Sequence, residues 1–174
     1  MLQVGRYVFK RADNQREFEQ IHRLNYRTFV GEIPQHTDNG AGYLVDKFHP
    51  KNAYLIVLKG DRVVGMLSIH DQPPFSIAER LSDPSILTRD GTRPLEIRLL
   101  AVEPEDRGTI VFFGLLYLVY LHAMEQGYTH LYISCVEQRV PLYEQIGFVA
   151  LGPAVRCGQA SFVPMLMKST SCTN

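Results

Sequence analysis

Hydrophobic and polar positions divide the first part of the chain into a strand, an amphipathic helix and a long loop. Val4 to Phe9 alternates as a half-buried strand does, and Asp13 or Asn14 can cap a helix that runs from about Gln15 to Phe29. Glycine, proline and polar residues then fill Gly31 to Asp46. A loop of this length in a compact domain usually has a use. We expect it to form a lid over a substrate.

The rest of the chain alternates strands and helices. Apolar, β-branched runs at Ala53 to Leu58 and Arg62 to Ile69 flank Lys59-Gly60-Asp61, where glycine permits the positive φ of a tight hairpin. The other predicted elements are a short helix at Ser76 to Leu81, a strand at Leu95 to Val102, a helix from Thr109 to Gln126 ended by Gly127, a strand at Thr129 to Cys135, a helix at Val140 to Ile146, and a closing strand pair at Phe148 to Leu151 and Ser161 to Met167. Apolar residues lie all round the helix from Thr109, which predicts that it is buried.

Two short motifs frame the second half of this pattern. V-x-P-x-x-R-G stands at Val102 to Gly108, ahead of the long helix, and L-Y-E-x-x-G-F stands at Leu142 to Phe148, after the next strand. In this order and spacing they resemble the GNAT acyltransferase superfamily. The resemblance implies an α/β fold: a twisted mixed sheet of six or seven strands, helices on both faces, and a V-shaped splay between the two central strands. It also implies an enzyme that transfers an acyl group from a thioester to an amine.

The resemblance places the co-substrate, acyl-CoA or acyl-phosphopantetheine, along the strand Leu95 to Val102 and the loop after it. Backbone groups of Leu100, Ala101 and Val102 would hold pantetheine and the acyl carbonyl. Amide groups at a helix N-terminus would surround the phosphate, because they are unpaired and the helix dipole favours an anion there. These amides belong to Arg107, Gly108, Thr109, Ile110 and Val111.

The phosphate loop departs from the superfamily pattern. The usual R-G-x-G-x-G reads here Arg107-Gly108-Thr109-Ile110-Val111-Phe112. Bulky residues at Ile110 and Phe112 would crowd a pyrophosphate but not the single phosphate of phosphopantetheine on an acyl carrier protein. The departure therefore favours a carrier-bound donor. It equally allows a non-catalytic module that senses an acyl thioester or an amino acid, and an ordinary acetyl-CoA-dependent acetyltransferase also stays open.

Glu96 lies inside an otherwise apolar strand, where a charge is costly unless it is paired or faces a cavity. The segment Glu96 to Val102 resembles the E-x-x-R/L-x-A-V strand of the acyl-homoserine-lactone synthases and the long-chain N-acyl amino acid synthases. That likeness implies that Glu96 is the base that deprotonates the amine, and that Tyr143 is the acid that protonates the leaving thiolate. A salt bridge to Arg98 or to a loop lysine is the structural alternative for Glu96, and half-buried packing is the alternative for Tyr143.

The predicted acceptor side comes from the first helix and the lid. Arg27-Thr28-Phe29-Val30-Gly31-Glu32 resembles the R-x-x-F-x-x-E region of the same synthases. The predicted substrate-binding residues are Arg27, Phe29, Glu32, Asp46, Arg98 and Cys135. Cys135 ends a strand beside the expected slot, so an acyl-cysteine mechanism must be weighed. No histidine has a convincing spacing to activate it, which favours a small core residue.

Length and charge limit the other possibilities. With 174 residues we expect a single domain at residues 1–168 and a polar tail at 169–174. Lysine plus arginine and aspartate plus glutamate each number 18, so the formal charge is zero, and no basic stripe that would bind nucleic acid stands out. The longest apolar run is about a dozen residues, whereas a bilayer span takes about 20.

Cysteine and histidine usage indicates the compartment and argues against a metal. The three cysteines, Cys135, Cys157 and Cys172, are an odd number and match neither a zinc site nor a disulfide scaffold. Free thiols in a reducing cytoplasm fit best. The six histidines are scattered without a metal-ligand pattern. Acyl length, the acceptor amine and the oligomeric state are left open by the sequence.

Overall fold

The computed structural model describes residues 1–169, and these divide into two compact units. One unit combines Met1–Ile69 with Leu99–Leu121, and the other combines His70–Arg98 with the chain from His122 onward. Nearly all of the predicted tail, 169–174, lies outside the described residues. The single domain at 1–168 stays a prediction.

The elements among the described residues confirm an α/β protein. The three α-helices are α1 (Gln15–Tyr26), α2 (Ile110–Gln126) and α3 (Val140–Ile146). The nine strands are β1 (Leu2–Val4), β2 (Tyr7–Arg11), β3 (Ala53–Lys59), β4 (Arg62–His70), β5 (Pro94–Val102), β6 (His130–Val136), β7 (Val149–Ala150), β8 (Val155–Cys157) and β9 (Ala160–Lys168). Six or seven strands were predicted. The number is higher because β1 and β8 span only three residues each, too few for a pattern to show.

In the first unit, β1 to β4 follow one another as antiparallel neighbours, and β5 adjoins β4. The β3–β4 hairpin turns where predicted, with Gly60 at a φ of +61°. The single strand predicted at Val4 to Phe9 is wrong, because the chain turns at Gly5, whose φ is +57°, and pairs Val4 with Tyr7.

Helix α1 begins as the sequence predicts. The Asn14 side chain accepts a hydrogen bond of 3.1 Å from the Glu17 amide, which makes Asn14 rather than Asp13 the cap. The buried face of α1, including Ile21 and Leu24, packs in a core cluster with strand residues such as Ile56. After Tyr26 the chain continues as a π-helix, Arg27–Glu32.

Helix α2 packs closely against the sheet of the first unit on one side. A Cβ atom at Gly114 would lie 2.1 Å from the Phe9 ring, and one at Gly65 would lie 2.5 Å from a Val111 methyl group. Glycine at both positions therefore permits the approach. The opposite side of α2 exposes large apolar side chains, so the prediction of a helix buried all round is wrong on that side.

The second unit contributes further strands to the same nine-stranded sheet. β5 pairs with β6 in parallel from Pro94–His130 to Ile97–Ile133, and both strands continue beyond this paired segment, as the predicted splay requires. β6 then pairs antiparallel with β9, which also pairs with β7 and β8. The closing strand pair is thus confirmed.

Strand β5 changes conformation just after its paired segment. Leu99 has a φ of +57°, and within residues 1–169 no other non-glycine residue has a positive φ. This left-handed conformation costs a side-chain-bearing residue roughly 1–2 kcal/mol. The strain lies at the point where the resemblance expects β5 to turn its backbone groups toward a ligand.

The helices formed by residues 1–169 are all too short or too polar to span a bilayer.

Candidate active site

Glu96 is enclosed by hydrogen-bond donors. Its carboxylate is only 1% exposed. Oε1 accepts from the Ser76 hydroxyl at 2.6 Å and from the Ile77 amide at 2.8 Å, and Oε2 accepts from the Ser76 amide at 2.9 Å. His70 Nε2 also lies 2.8 Å from Oε2. Ser76 and Ile77 begin a 3₁₀-helix, Ser76–Arg80, so the carboxylate occupies the position an anion takes at the start of a helix.

His70 is fully buried beside this carboxylate. Its Nδ1 lies 3.1 Å from the Gln72 carbonyl oxygen, and its ring stacks on Phe75 with centroids 5.4 Å apart. A carbonyl oxygen only accepts, so Nδ1 carries a hydrogen. The other ring nitrogen, Nε2, is the one that contacts Glu96.

The donors around Glu96 decide its charge. Burial raises the pKa of Glu96, but the hydrogen bonds from His70 and from Ser76 outweigh it and hold that pKa below its ordinary value. Glu96 is therefore ionised at neutral pH. A carboxylate offers about four lone-pair sites, and the Ser76 hydroxyl, the Ser76 and Ile77 amide donors and the His70 ring surround them. A water molecule or an amine would have to displace one of those donors to reach it.

Arg98 joins the same network through Ser76. Its Nε donates a hydrogen bond of 2.9 Å to Ser76 Oγ, which in turn donates to Glu96. The expected alternative, a direct Glu96–Arg98 salt bridge, is replaced by this bridge through a hydroxyl. Arg98 still lowers the pKa of Glu96 through its charge.

Tyr143 lies half-buried on α3, with its ring edge-on to Phe148 at 5.7 Å. Gly147, at a φ of +113°, ends the helix and lets Phe148 turn back toward it. Burial, together with the nearby Cys135, raises the pKa of the Tyr143 hydroxyl. The hydroxyl therefore keeps its proton at neutral pH and can act as a donor.

Cys135 is a buried thiol whose Sγ donates to the Val136 carbonyl at 3.1 Å. Burial raises the pKa of Cys135 to about 12. A thiol of this kind is almost entirely protonated at neutral pH, and the thiolate is the nucleophilic form. This environment suits a small core residue.

The phosphate loop in the first unit is held at both ends by its own side chains. Arg107 donates through Nε to the Val102 carbonyl at 2.9 Å and through one terminal nitrogen to both Glu32 carboxylate oxygens at 2.7 and 2.8 Å. Gly108 has a φ of +72°, which glycine adopts without strain. Thr109 Oγ1 accepts from the Val111 amide at 3.3 Å. Phosphate binding at Val111 would have to share that donor.

Asp106 anchors this loop to the first strands. Its buried carboxylate accepts from the Tyr7 hydroxyl at 2.7 Å and from Lys59 Nζ at 3.0 Å. Burial raises the pKa of Asp106, and the bonds from Tyr7 and Lys59 outweigh it and lower that pKa. Two residues distant in sequence therefore fix the turn from which α2 starts.

The residues proposed as the pantetheine cradle follow the strained Leu99. Ala101 and Val102 bury their side chains, and Leu100 is half-buried. The Val102 carbonyl is already occupied by Arg107. Of the predicted cradle, backbone groups at Leu100 and Ala101 are the better candidates.

The predicted acceptor-side residues have structural partners within the first unit. Arg27 pairs with Glu103, and Phe29 is buried in the core cluster of α1. Asp46 Oδ2 accepts from the Phe48 amide at 3.1 Å and from Asn52 Nδ2 at 2.8 Å, which orders the loop. Glu32 is paired with Arg107. Their roles toward a substrate stay predictions.

Sequence reasoning missed His70 and Ser76. Each lies in a segment without a motif, and their contacts with Glu96 connect positions 20 or more residues apart. The one available signal was the buried charge of Glu96 itself, which requires partners. Across residues 1–169 no group of three or more His, Cys, Asp or Glu side chains is arranged to hold a metal ion.

Comparison with known proteins gives a family and a fold. The family model of the N-acyl amino acid synthase FeeM matches residues 20–170. The structure of FeeM, an N-acyl amino acid synthase from uncultured soil microbes, is similar with a TM-score of 0.77 and 17% identity, over 94% of this chain and 90% of that chain. No curated protein sequence matches the chain.

Two further solved structures share the fold. The AHL synthase LasI has a TM-score of 0.74 and 12% identity, over 93% of this chain and 89% of its own. BjaI, a CoA-dependent acyl-homoserine lactone synthase solved with SAM and isopentyl-CoA, has a TM-score of 0.70 and 22% identity, over 87% of this chain and 75% of its own. The GNAT-type fold expected from the two motifs is confirmed.

Proposed function

The chain belongs to the N-acyl amino acid synthase FeeM family and is an N-acyltransferase, and we propose that it transfers an acyl group from a thioester to the amine of an amino acid. The observation that carries this proposal is the family match, which extends over residues 20–170 and so includes both sequence motifs and Glu96. The non-catalytic alternative is set aside, because the family is one of enzymes.

The donor that we propose is a long-chain acyl group on the phosphopantetheine of an acyl carrier protein. Ile110, at the start of α2, is 43% exposed and stands where the superfamily pattern has glycine. A side chain there limits how closely a pyrophosphate can approach the helix amides, whereas a single phosphate needs less room. A CoA thioester is the competing donor. BjaI, solved with isopentyl-CoA, uses CoA.

The reaction requires one proton to leave the amine and one to reach the sulfur. The amine nitrogen attacks the thioester carbonyl carbon, the C–N bond forms, and the C–S bond breaks. We assign Tyr143 as the acid that protonates the leaving thiolate, because its hydroxyl keeps a proton that it can donate. Protonation of the leaving sulfur balances the step.

We assign Glu96 as the base that receives the amine proton, and we assign the Ser76 hydroxyl as the relay between the amine and Glu96. Among the donors that fill the Glu96 lone pairs, the Ser76 hydroxyl can pass its own proton to Oε1 and take another from the amine. An amide N–H cannot do so. Arg98, bonded to the same hydroxyl, stabilises negative charge on the oxygen as its proton leaves.

A single set of assays tests the proposal. The purified chain is incubated with palmitoyl-carrier protein, palmitoyl-CoA or acetyl-CoA at matched concentrations and with pooled amino acids, and N-acyl products are identified by mass. We expect the fastest turnover with the carrier-bound donor. Faster turnover with acetyl-CoA would overturn the carrier-bound donor, and an absence of N-acyl amino acid from all three would overturn the acceptor class.

A further inference from the structure

Helix α2 carries a line of large, solvent-exposed apolar side chains. We call these five residues the α2 stripe; with their exposed fractions they are Ile110 (43%), Phe113 (58%), Tyr117 (51%), Tyr120 (44%) and Met124 (37%). The inward side of the same helix is fully buried at Val111, Leu115 and Val119. The helix therefore has one apolar side that the protein covers and another that meets water.

The spacing of the α2 stripe is that of a helix–helix seam. Its members recur at intervals of three, four, three and four residues, which is the a/d pattern of a heptad repeat. A period of 3.5 residues keeps such a line straight along a second helix lying beside it. Scattered exposed apolar residues would show no such period.

The exposed side of α2 lacks the charged residues that a solvated helix face normally carries. No Asp, Glu, Lys or Arg occurs between Ile110 and Met124. Surface helices usually place charged residues on the side away from the core. The Tyr117 and Tyr120 rings also stack on each other, with centroids 6.5 Å apart. Two members of the stripe thus already contact each other within one copy.

The area of the α2 stripe is about what a contact between two copies needs. Large aromatic side chains bury 150–250 Å² each, so five residues about half exposed present on the order of 500 Å². The largest apolar patch on a typical monomer is about 300–600 Å² and is often functional. Two copies would cover on the order of 1,000 Å², about the lower limit for a specific interface.

We propose that the α2 stripe is the contact between two copies of this chain. An uncharged, aromatic line of heptad spacing is complementary to itself, as an isologous interface must be. A negatively charged partner, whether an anionic lipid surface or an acidic protein, would select lysine and arginine, and the stripe has neither. Tyr117 is the third of the five residues, so it lies near the two-fold axis of an antiparallel pair, and in a parallel pair the axis runs along the whole stripe.

The mass of the protein in solution tests this proposal. Light scattering is measured on the wild type, Tyr117→Glu and Tyr43→Glu over a range of concentrations, with circular dichroism to verify folding. Tyr43 is 55% exposed and lies outside the stripe, so it is a matched control. We expect twice the 19.8 kDa chain mass for the wild type and Tyr43→Glu, and the single mass for Tyr117→Glu. A wild type that stays at the single mass, or a Tyr117→Glu variant that stays double, would overturn the interface.

Cross-linking locates the contact independently of folding stability. In a background with Cys157→Ser and Cys172→Ser, Tyr117→Cys should form an intermolecular disulfide under mild oxidation, and Tyr43→Cys should not. Equal cross-linking at both positions would indicate random collision and contradict the proposal. A third arm measures sedimentation with neutral phosphatidylcholine vesicles. Vesicle binding by a protein of single mass that Tyr117→Glu abolishes would assign the stripe to a lipid surface instead.

Discussion

His70 Nε2 lies 2.8 Å from Glu96 Oε2, and the two side chains are 0% and 1% exposed. Two polar groups this deeply buried are stable only when each has partners that replace water. Removing either partner leaves the other buried and unsatisfied, which costs more than the pair contributes. The pair therefore ties the position of the Glu96 carboxylate to that of the His70 ring.

Replacing Glu96 with Gln should lower the acyl-transfer rate per folded molecule by about 10²–10⁴-fold, the usual contribution of positioned proton transfer. The variant should also lose about 1–3 kcal/mol of stability, because an amide NH₂ group would face donors where an oxygen now accepts. Initial rates and urea unfolding measure the two effects. Glu137→Gln, at an exposed position of the second unit, is the matched control and should change neither. A Glu96→Gln variant that is less stable but fully active would make Glu96 purely structural.

Stability should fall on acidification in a way that depends on Glu96. Its pKa is held below the ordinary value of 4.5 in the folded protein, so between the two values the unfolded chain binds the proton and the folded chain does not. The stabilisation is present above pH 4.5 and is lost as the pH falls through the folded pKa. Urea unfolding from pH 7 to pH 3 should therefore show a steeper decline for the wild type than for Glu96→Gln. Identical slopes would contradict the lowered pKa.

Ser76→Ala tests the route of the proton. The variant removes the hydroxyl but keeps the Ser76 and Ile77 amide hydrogen bonds to Glu96. If the proton passes through Ser76, kcat should fall about 10²-fold or more with little change in KM. A kcat that stays nearly unchanged in Ser76→Ala would contradict this route. It would mean that the Ser76 hydroxyl is not required, and that Glu96 receives the proton directly or through a water molecule in the space the hydroxyl leaves.

Tyr143→Phe keeps the aromatic ring and its contact with Phe148 while removing only the hydroxyl. The rate should fall most for thioesters whose thiols are poor leaving groups, because these depend on protonation of the sulfur. Activated thioesters with acidic thiols should be affected least. The rates are compared over a series of donors of increasing thiol pKa. A uniform loss over the series would assign Tyr143 to substrate positioning or packing.

Cys135→Ala should retain most of the transfer activity, because a thiol with a pKa of about 12 supplies almost no thiolate at neutral pH. Intact-mass measurement of the wild type after incubation with donor alone should show no acyl adduct. The appearance of one acyl group on the wild type and none on Cys135→Ala would restore the acyl-cysteine mechanism.

Local pattern was sufficient for the elements that combine periodicity with a clear turn. The β3–β4 hairpin, with Gly60 at its turn, and the run from β5 through α3 were predicted close to their observed bounds. The three-residue strands β1 and β8 were missed, since they hold too few positions to show alternation. The turn at Gly5 was missed for the same reason.

The candidate site was only partly predictable. Glu96 was identifiable because its charge interrupts an apolar strand, but His70 and Ser76 approach it through tertiary contacts that no spacing encodes. The solvent exposure of one side of α2 also could not be predicted from the hydrophobic pattern. Hydropathy states that a helix side is apolar, and only the arrangement of the other elements determines whether that side is covered.

The anchoring of Asp106 by Tyr7 limits which fragments of this protein can be useful. The family match begins at residue 20, so the hydroxyl that fixes the phosphate loop comes from a strand that precedes the matched segment. A fragment cut at the family boundary would keep every motif yet leave a buried carboxylate with one donor fewer. Moving the phosphate loop into a chimeric synthase therefore requires moving the N-terminal hairpin of β1 and β2 with it.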